Sequence, residues 1–326
     1  MNTEMAEVPD PTRRHDVRCR SAVMPGPRSS TVIPPATLAH LWPPHIDCRP
    51  PRADQSPRGN RTDLCPRELL ELRRFGWSLS DDRQLRGCGR RIPRGDVGTA
   101  DEVRDLTVQC RRKWLCPTCG DRAARSQSMK YRRELIDWSA SGGSNTFMTL
   151  TQWHSIDDEL TELWDRLERG WDRLKQGAGW DRDREAYGLS GYTRVVEVVH
   201  HPASGWNVHL HVVLHLAHAL TDDQQDDLMA ALASRFIRGI QRSGGDANLA
   251  SQDLRPVRAG TEWPLASYCF KGTKLRRTPD GSRTPMSILA DLHSTGEGFA
   301  LWEEFTAAVN SRRRTQVTRS QGMACS

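Results

Sequence analysis

One stretch limits the fold more than any other: Gly205-Trp206-Asn207-Val208-His209-Leu210-His211-Val212-Val213-Leu214-His215-Leu216. It alternates with a period of two. Val208, Leu210, Val212 and Leu214 fall on one side of an extended chain, and His209, His211, Val213 and His215 on the other. The aliphatic set suits packing against helices. The opposite side carries His209 and His211 one pleat apart, about 6.5–7 Å between Cα atoms, so both imidazoles can reach one cation. A strand of this kind needs partners on both edges, and the flanking residues supply candidates.

Residues 146–152 read as a strand, and Leu160, Leu163, Trp164, Leu167, Trp171 and Leu174 then recur at helical spacing, which marks those tryptophans as core. Residues 192–199 read as a second strand, joined through Pro202-Ala203-Ser204-Gly205 to the histidine strand as a hairpin. Thr221-Asp222-Asp223 opens a helix carrying Leu228, Leu232, Phe236 and Ile240, and 253–257 reads as a fourth strand. The order is β-α-β-β-α-β. This predicts an α+β fold with an antiparallel sheet, helices on one side and the other face open to a substrate. Glu197, one strand away from the histidines with Val196 and Val198 facing oppositely, projects to the side of His209 and His211. Two imidazoles and a carboxylate suit Mg²⁺, Mn²⁺ or a softer divalent ion.

Upstream, 61–135 reads as a cysteine-rich module whose candidate metal ligands are Cys88, Cys110, and the pair in Cys116-Pro117-Thr118-Cys119-Gly120. In a reducing compartment such a set favours Zn²⁺ over disulfides, and four thiolates leave no open coordination position, so the metal there is structural. Arg111-Arg112-Lys113 and a basic helix over 122–133 put positive charge beside this module. Residues 1–60, which hold most of the prolines and no sustained period, read as a disordered tail, as do residues 315–326. Net charge is +6 and pI about 9.0, which favours polyanions. Mean hydropathy is −0.67, and no apolar run reaches the roughly 20 residues that span a bilayer. No secretory pattern opens the chain, so a cytoplasmic protein without membrane partners is expected.

In Glu262-Trp263-Pro264-Leu265-Ala266-Ser267-Tyr268-Cys269-Phe270-Lys271-Gly272, Pro264 suits a helix first turn and Gly272 its C-cap. Tyr268 and Lys271 are then three apart on one side of a short helix. A tyrosine can link covalently to phosphate, and a nearby ammonium steadies the charge.

With these residues in view, the chain resembles the rolling-circle plasmid replication initiators of the HUH endonuclease superfamily, of the single-tyrosine type. The resemblance rests on Phe147-Met148-Thr149-Leu150-Thr151, Trp206-Asn207-Val208-His209-Leu210-His211 and Tyr268-Cys269-Phe270-Lys271, in that order, and runs from about residue 88 to 314. The cysteine cluster and Trp302-Glu303-Glu304-Phe305 are similar to that group as well. It implies an HUH/RRM-like palm over 146–314, with His209, His211 and Glu197 holding Mg²⁺ or Mn²⁺. It implies that Tyr268 attacks the scissile phosphate to give a 5′-phosphotyrosine and a free 3′-hydroxyl primer, with Lys271 in support. The implied substrate is single-stranded DNA at an origin hairpin, with host helicase and polymerase as further partners. Three positions depart from the pattern. Asn207 and Val208 stand where members often have histidine and proline, and Pro264 stands where they often have a glutamate; Glu262 is the nearest carboxylate for a second step. A rolling-circle transposase and a non-catalytic zinc-dependent DNA-binding protein are the alternative readings.

Overall fold

The alternating stretch forms strand β3 (Gly205–Leu216) at the centre of a five-stranded antiparallel sheet. We describe the chain from a computed structural model, which defines residues 66–91, 107–271, 275, 280–311 and 314–320. The tail expected over 1–60 lies outside the described residues, as does Gly272. β3 pairs on one side with β2 (Leu189–His201) and on the other with β1 (Ser144–Leu150). β4 (Asp253–Pro256) adds to β1 and β5 (Val317–Arg319) to β2, giving the order β4-β1-β3-β2-β5. The β2–β3 turn needs glycine at Gly205: its φ is +76°, and a Cβ there would meet the Ser155 carbonyl oxygen at 2.6 Å.

Before the sheet come α1 (Pro66–Ser78), α2 (Arg83–Gly87) and α3 (Pro117–Ala140). Between β1 and β2 lie α4 (Leu160–Leu174) and a short α5 (Ala178–Ala186); α6 (Asp222–Arg242) follows β3. From β1 to β4 the elements follow as strand, two helices, two strands, helix, a 3-10 turn and a strand, a mixed α+β arrangement around an antiparallel sheet. Thr221 caps α6 in a reciprocal box with Gln224, as its acid-started sequence suggested. α7 (Glu262–Cys269), α8 (Pro285–Thr295) and α9 (Phe299–Ser311) complete the helices.

The aliphatic side of β3 packs as read. Val208, Leu210, Val212 and Leu214 are buried with Leu160, Leu163, Trp164, Leu167 and Trp171 of α4 and Leu228, Leu232, Phe236 and Ile240 of α6. Trp164 and Trp171 belong to the core, and losing either to alanine should cost about 3–5 kcal/mol. Gly170 and Gly239 let α4 and α6 cross closely, since a Cβ on Gly239 would sit 2.9 Å from the Gly170 Cα. The cysteine region joins this same core: Trp114 meets Trp164 edge-on at 5.3 Å and Phe305 of α9 at 6.2 Å.

Two expectations are corrected. Helices do not keep to one side, and the histidine side of the sheet is not broadly open. α3 and α7 lie on it, around a second core of Ala124, Tyr131, Leu135, Phe147, Val195, Val213, Ala266, Cys269 and Phe270. The reason is composition by face: β1 and β2 contribute Phe147 and Val195 beside Val213, an apolar patch that must be covered. Among the described residues, the end near His209 is where this face stays accessible. Part of the segment read as a C-terminal tail also proves ordered, because Val317, Thr318 and Arg319 pair with Val195, Arg194 and Thr193 of β2. Three residues are too few for a period to show in sequence.

Candidate active site and metal centres

The four cysteines come together despite the long gap between Cys88 and Cys110. The backbone after α2 runs beside residues 107–108: Gly89 N–H donates to Val108 O at 2.7 Å and Val108 N–H to Arg90 O at 2.9 Å. This lateral pairing sets Cys88 and Cys110 next to each other. Cys116 is the N-cap of α3, Pro117 takes the first helical position, and Cys119 lies in the first turn. The Sγ atoms of Cys88 and Cys116, and of Cys88 and Cys119, are 3.7 Å apart; those of Cys110 and Cys119 are 3.6 Å apart. A disulfide would need about 2.0 Å. A tetrahedron with metal–sulfur bonds of about 2.3 Å has edges of about 3.8 Å. All four residues are buried. Hydrogen bonds from Cys110 and Cys116 hold the Cys119 thiol far below the ordinary range, while the same contacts and burial push Cys116 up. Four buried sulfurs at these separations fit a Zn²⁺-type ion, and their burial keeps water away.

The second cluster is built by the sheet register. Glu197 lies directly across from His209, and Val195 across from His211, so the carboxylate and both imidazoles share one face. Glu197 Oε2 accepts from His209 Nε2 at 2.9 Å, His211 Nε2 at 2.8 Å and Lys271 Nζ at 3.2 Å. Glu197 is 1% exposed, and its other oxygen, Oε1, is buried without a hydrogen-bond partner. Burial alone would raise its pKa. The hydrogen bonds and charge of the two histidines outweigh it and hold the carboxyl well below the usual range. Burial drives the pKa of His211 down to about 4, which leaves its imidazole neutral and able to ligate.

The far nitrogens of the rings are also held. Asn207 Oδ1 sits 3.3 Å from His209 Nδ1 and Thr149 Oγ1 3.4 Å from His211 Nδ1, which turns both Nε2 atoms toward Glu197. Phe147 stacks on the His211 ring at 5.4 Å. The ligand atoms of Glu197, His209 and His211 lie within 4.8 Å of one another, as do those of the four cysteines. The orphaned carboxylate oxygen and the two convergent imidazoles fit a divalent cation.

Tyr268 and Lys271 stand over this cluster. The Tyr268 ring is 4.9 Å from that of His211, and the Lys271 ammonium lies 3.4 Å from the centre of the tyrosine ring. Tyr268 is 44% exposed, so the residue is not packed into the interior. A cavity of about 190 Å³ opens beside it, bounded by Glu197, His209, Tyr268, Lys271, Arg283 and Thr284 among others. Sequence reasoning missed the segment 280–284 in this wall. Its backbone pairs with His200, a contact that no spacing announces. Phe147 and Thr149 as supports of His211 were missed also.

Two residues named from the sequence fall outside the cavity. Glu262 accepts from the Gly260 N–H at 3.1 Å at the start of α7 and does not line it. His215, on the same side of the strand as His209 and His211, is fully buried, with Nδ1 2.8 Å from Asn145 Oδ1.

Among the described residues no helix is long and apolar enough to cross a membrane. The family described as "Replication protein" matches residues 103–228. That stretch holds Cys110, Cys116, Cys119, Glu197, His209 and His211 and stops short of Tyr268. A neomycin resistance protein from Streptomyces cyanogenus is 27% identical over 202 residues, 55% of this chain and 43% of that protein. Protein rep from Streptomyces lividans is 26% identical over 133 residues, 33% of this chain and 29% of that protein. The chain thus spans less than half the length of either relative. No solved structure matches. Across the cysteine knuckle and the histidine strand, the chain is similar to replication proteins.

Proposed function

We propose that this protein is a plasmid replication initiator of the HUH type that nicks single-stranded origin DNA through Tyr268. The observation that carries the reading is the convergence of Glu197, His209 and His211 beneath an exposed tyrosine with a lysine ammonium at its ring. Likeness to replication proteins supports the DNA substrate, and the basic surface agrees with it.

Glu197, His209 and His211 would hold Mg²⁺ or Mn²⁺. When bound, that ion supplies Lewis-acid polarisation of the scissile phosphate. Tyr268 gives its phenolic proton to solvent, and its oxygen forms a bond to phosphorus as the bond to the 3′-oxygen breaks. The 3′-oxygen takes up a proton and becomes the primer end; the 5′ side stays on the tyrosine. Lys271 steadies the phenolate and phosphate charge, and its contact with Glu197 ties it to the same cluster. The cavity bounded by Arg283 and Thr284 receives the phosphate. Cys88, Cys110, Cys116 and Cys119 would hold a structural Zn²⁺. Glu262 takes no part in the first step, and host helicase and polymerase act on the nicked product.

A purely DNA-binding zinc protein, or a transposase, shares parts of this constellation. The binding-protein reading leaves unexplained why a buried carboxylate keeps an unpartnered oxygen beside an exposed tyrosine. Incubation with origin oligonucleotides and Mn²⁺ tests the proposal. A covalent protein–DNA adduct that disappears in Tyr268→Phe supports it; DNA binding without any adduct in the unaltered protein overturns it. A transposase would join the cleaved end to a second DNA.

A further inference from the structure

The surface beside α7 holds an unusual pair. Trp263 is 53% exposed, and the guanidinium of Arg132 from α3 lies over its ring, 5.7 Å from the centroid. No ion pair holds Arg132 among the described residues. One turn to either side of it on the same stripe of α3 stand Met129, 66% exposed, and Ile136, 40% exposed. Arg122, Arg125, Lys130 and Arg133 of α3 are exposed around them; of these, Arg125 is paired with Asp121 at 2.9 Å. An aromatic face, a flat cation and two flexible apolar side chains thus lie within a cationic border.

That combination matches an unpaired nucleobase. A base offers a flat π-face to Trp263 and Arg132, and its phosphates find the surrounding cations. Duplex DNA offers phosphates but hides its base faces. A second copy of this chain across a two-fold axis would set the same cations against themselves. Trp263 precedes Tyr268 by five residues, about 7.5 Å along α7, so a strand held at Tyr268 passes the pair within a few nucleotides.

We propose that Trp263 and Arg132, flanked by Met129 and Ile136, form a base-stacking platform that binds single-stranded DNA next to the nicking site. This rests on the reading of the protein as a single-strand nickase, and it names a positioning surface rather than a catalytic residue.

The test compares the full chain with Trp263→Ala, Trp263→Phe and Arg132→Ala. Binding is read with a short labelled oligothymidylate and with an oligonucleotide carrying a fluorescent purine analogue that is quenched on stacking. Trp263→Ala should weaken single-strand binding about ten-fold and lift the quenching, with duplex binding unchanged. Trp263→Phe should restore most of both. Arg132→Ala should weaken binding and flatten its salt dependence. Trp263 is half exposed, and a thermal melt checks that each variant is folded.

Single-strand affinity unchanged in Trp263→Ala overturns the platform, as does a change of oligomeric state in that variant, which would make the patch a contact between copies. The two readings fail separately. An adduct at Tyr268 with unchanged affinity in Trp263→Ala sinks only the platform. Reduced affinity in Trp263→Ala with no adduct in the unaltered protein sinks only the nickase.

Discussion

The cysteine cluster and the Glu197–His209–His211 cluster each bring metal-ligating atoms within 4.8 Å, yet they differ in what else reaches them. The cysteines are four soft donors, buried on all sides and locked into the helix-side core by Trp114 and Leu115. The second cluster has three harder donors, one orphaned oxygen, and a cavity on one flank with a tyrosine at its mouth. A complete donor set with no approach can only stabilise; an incomplete one with an approach can do chemistry. The two donor sets differ both in their chemistry and in where the chain leaves space beside them.

The largest effect that could break this contrast is on the tyrosine. Tyr268→Phe should reduce adduct formation to background while leaving oligonucleotide affinity within two-fold, measured by denaturing gel and by anisotropy. An adduct surviving in that variant would place the chemistry elsewhere. Next, Cys119→Ser should lower the melting temperature by more than about 10 °C, through loss of several kcal/mol of metal-linked folding energy. Elemental analysis should show one zinc per unaltered chain. If instead Cys119→Ser melts normally, the closed cluster is not holding the fold.

His209 sharpens the comparison because it lies at the open end. His209→Ala should slow nicking by more than a hundred-fold with little change in melting, and Asn207→Ala, which frees the far nitrogen of that ring, by about ten-fold. Rates at rising Mn²⁺ concentration check both. The smallest effect concerns His215, on the same strand but away from the cavity. Burial lowers its pKa from 6.5 to about 4. Above pH 6.5 it is neutral in the folded and the unfolded chain. As pH falls from 6.5 toward 4 only the unfolded chain takes up the proton, so stability drops, by at most about 1.4 kcal/mol per pH unit. His215→Gln should flatten that part of a denaturant-monitored stability profile, with nicking at neutral pH kept.

Much of this was legible in the sequence where a period existed. The parity of Val196, Glu197 and Val198 put the carboxylate on the histidine face, and the register does so directly opposite His209. The spacing of Leu160 through Leu174 gave α4 and its buried tryptophans. What stayed hidden depends on which side of a sheet a helix chooses. Nothing along 117–140 tells that α3 covers Phe147, Val195 and Val213, because its buried Ala124, Tyr131 and Leu135 would suit any apolar surface. The wall at 280–284 is irregular backbone brought in by two hydrogen bonds to His200, and carries no pattern to read. Glu262 was singled out by nearness in sequence alone. Six residues along a helix turn a side chain well away from Tyr268.

α3 has a consequence for how the molecule answers its surroundings. Its 24 residues make a strut about 36 Å long, clamped at one end by Cys116 and Cys119. Midway, Tyr131 meets Phe270 at 5.7 Å and the thiol of Cys269, the residue after Tyr268. Near its far end, the Trp138 indole is pinned to the Leu216 carbonyl at 2.9 Å. A change at the cysteine end of this strut would therefore reach the residues after Tyr268 through Tyr131, at a distance from the cavity itself.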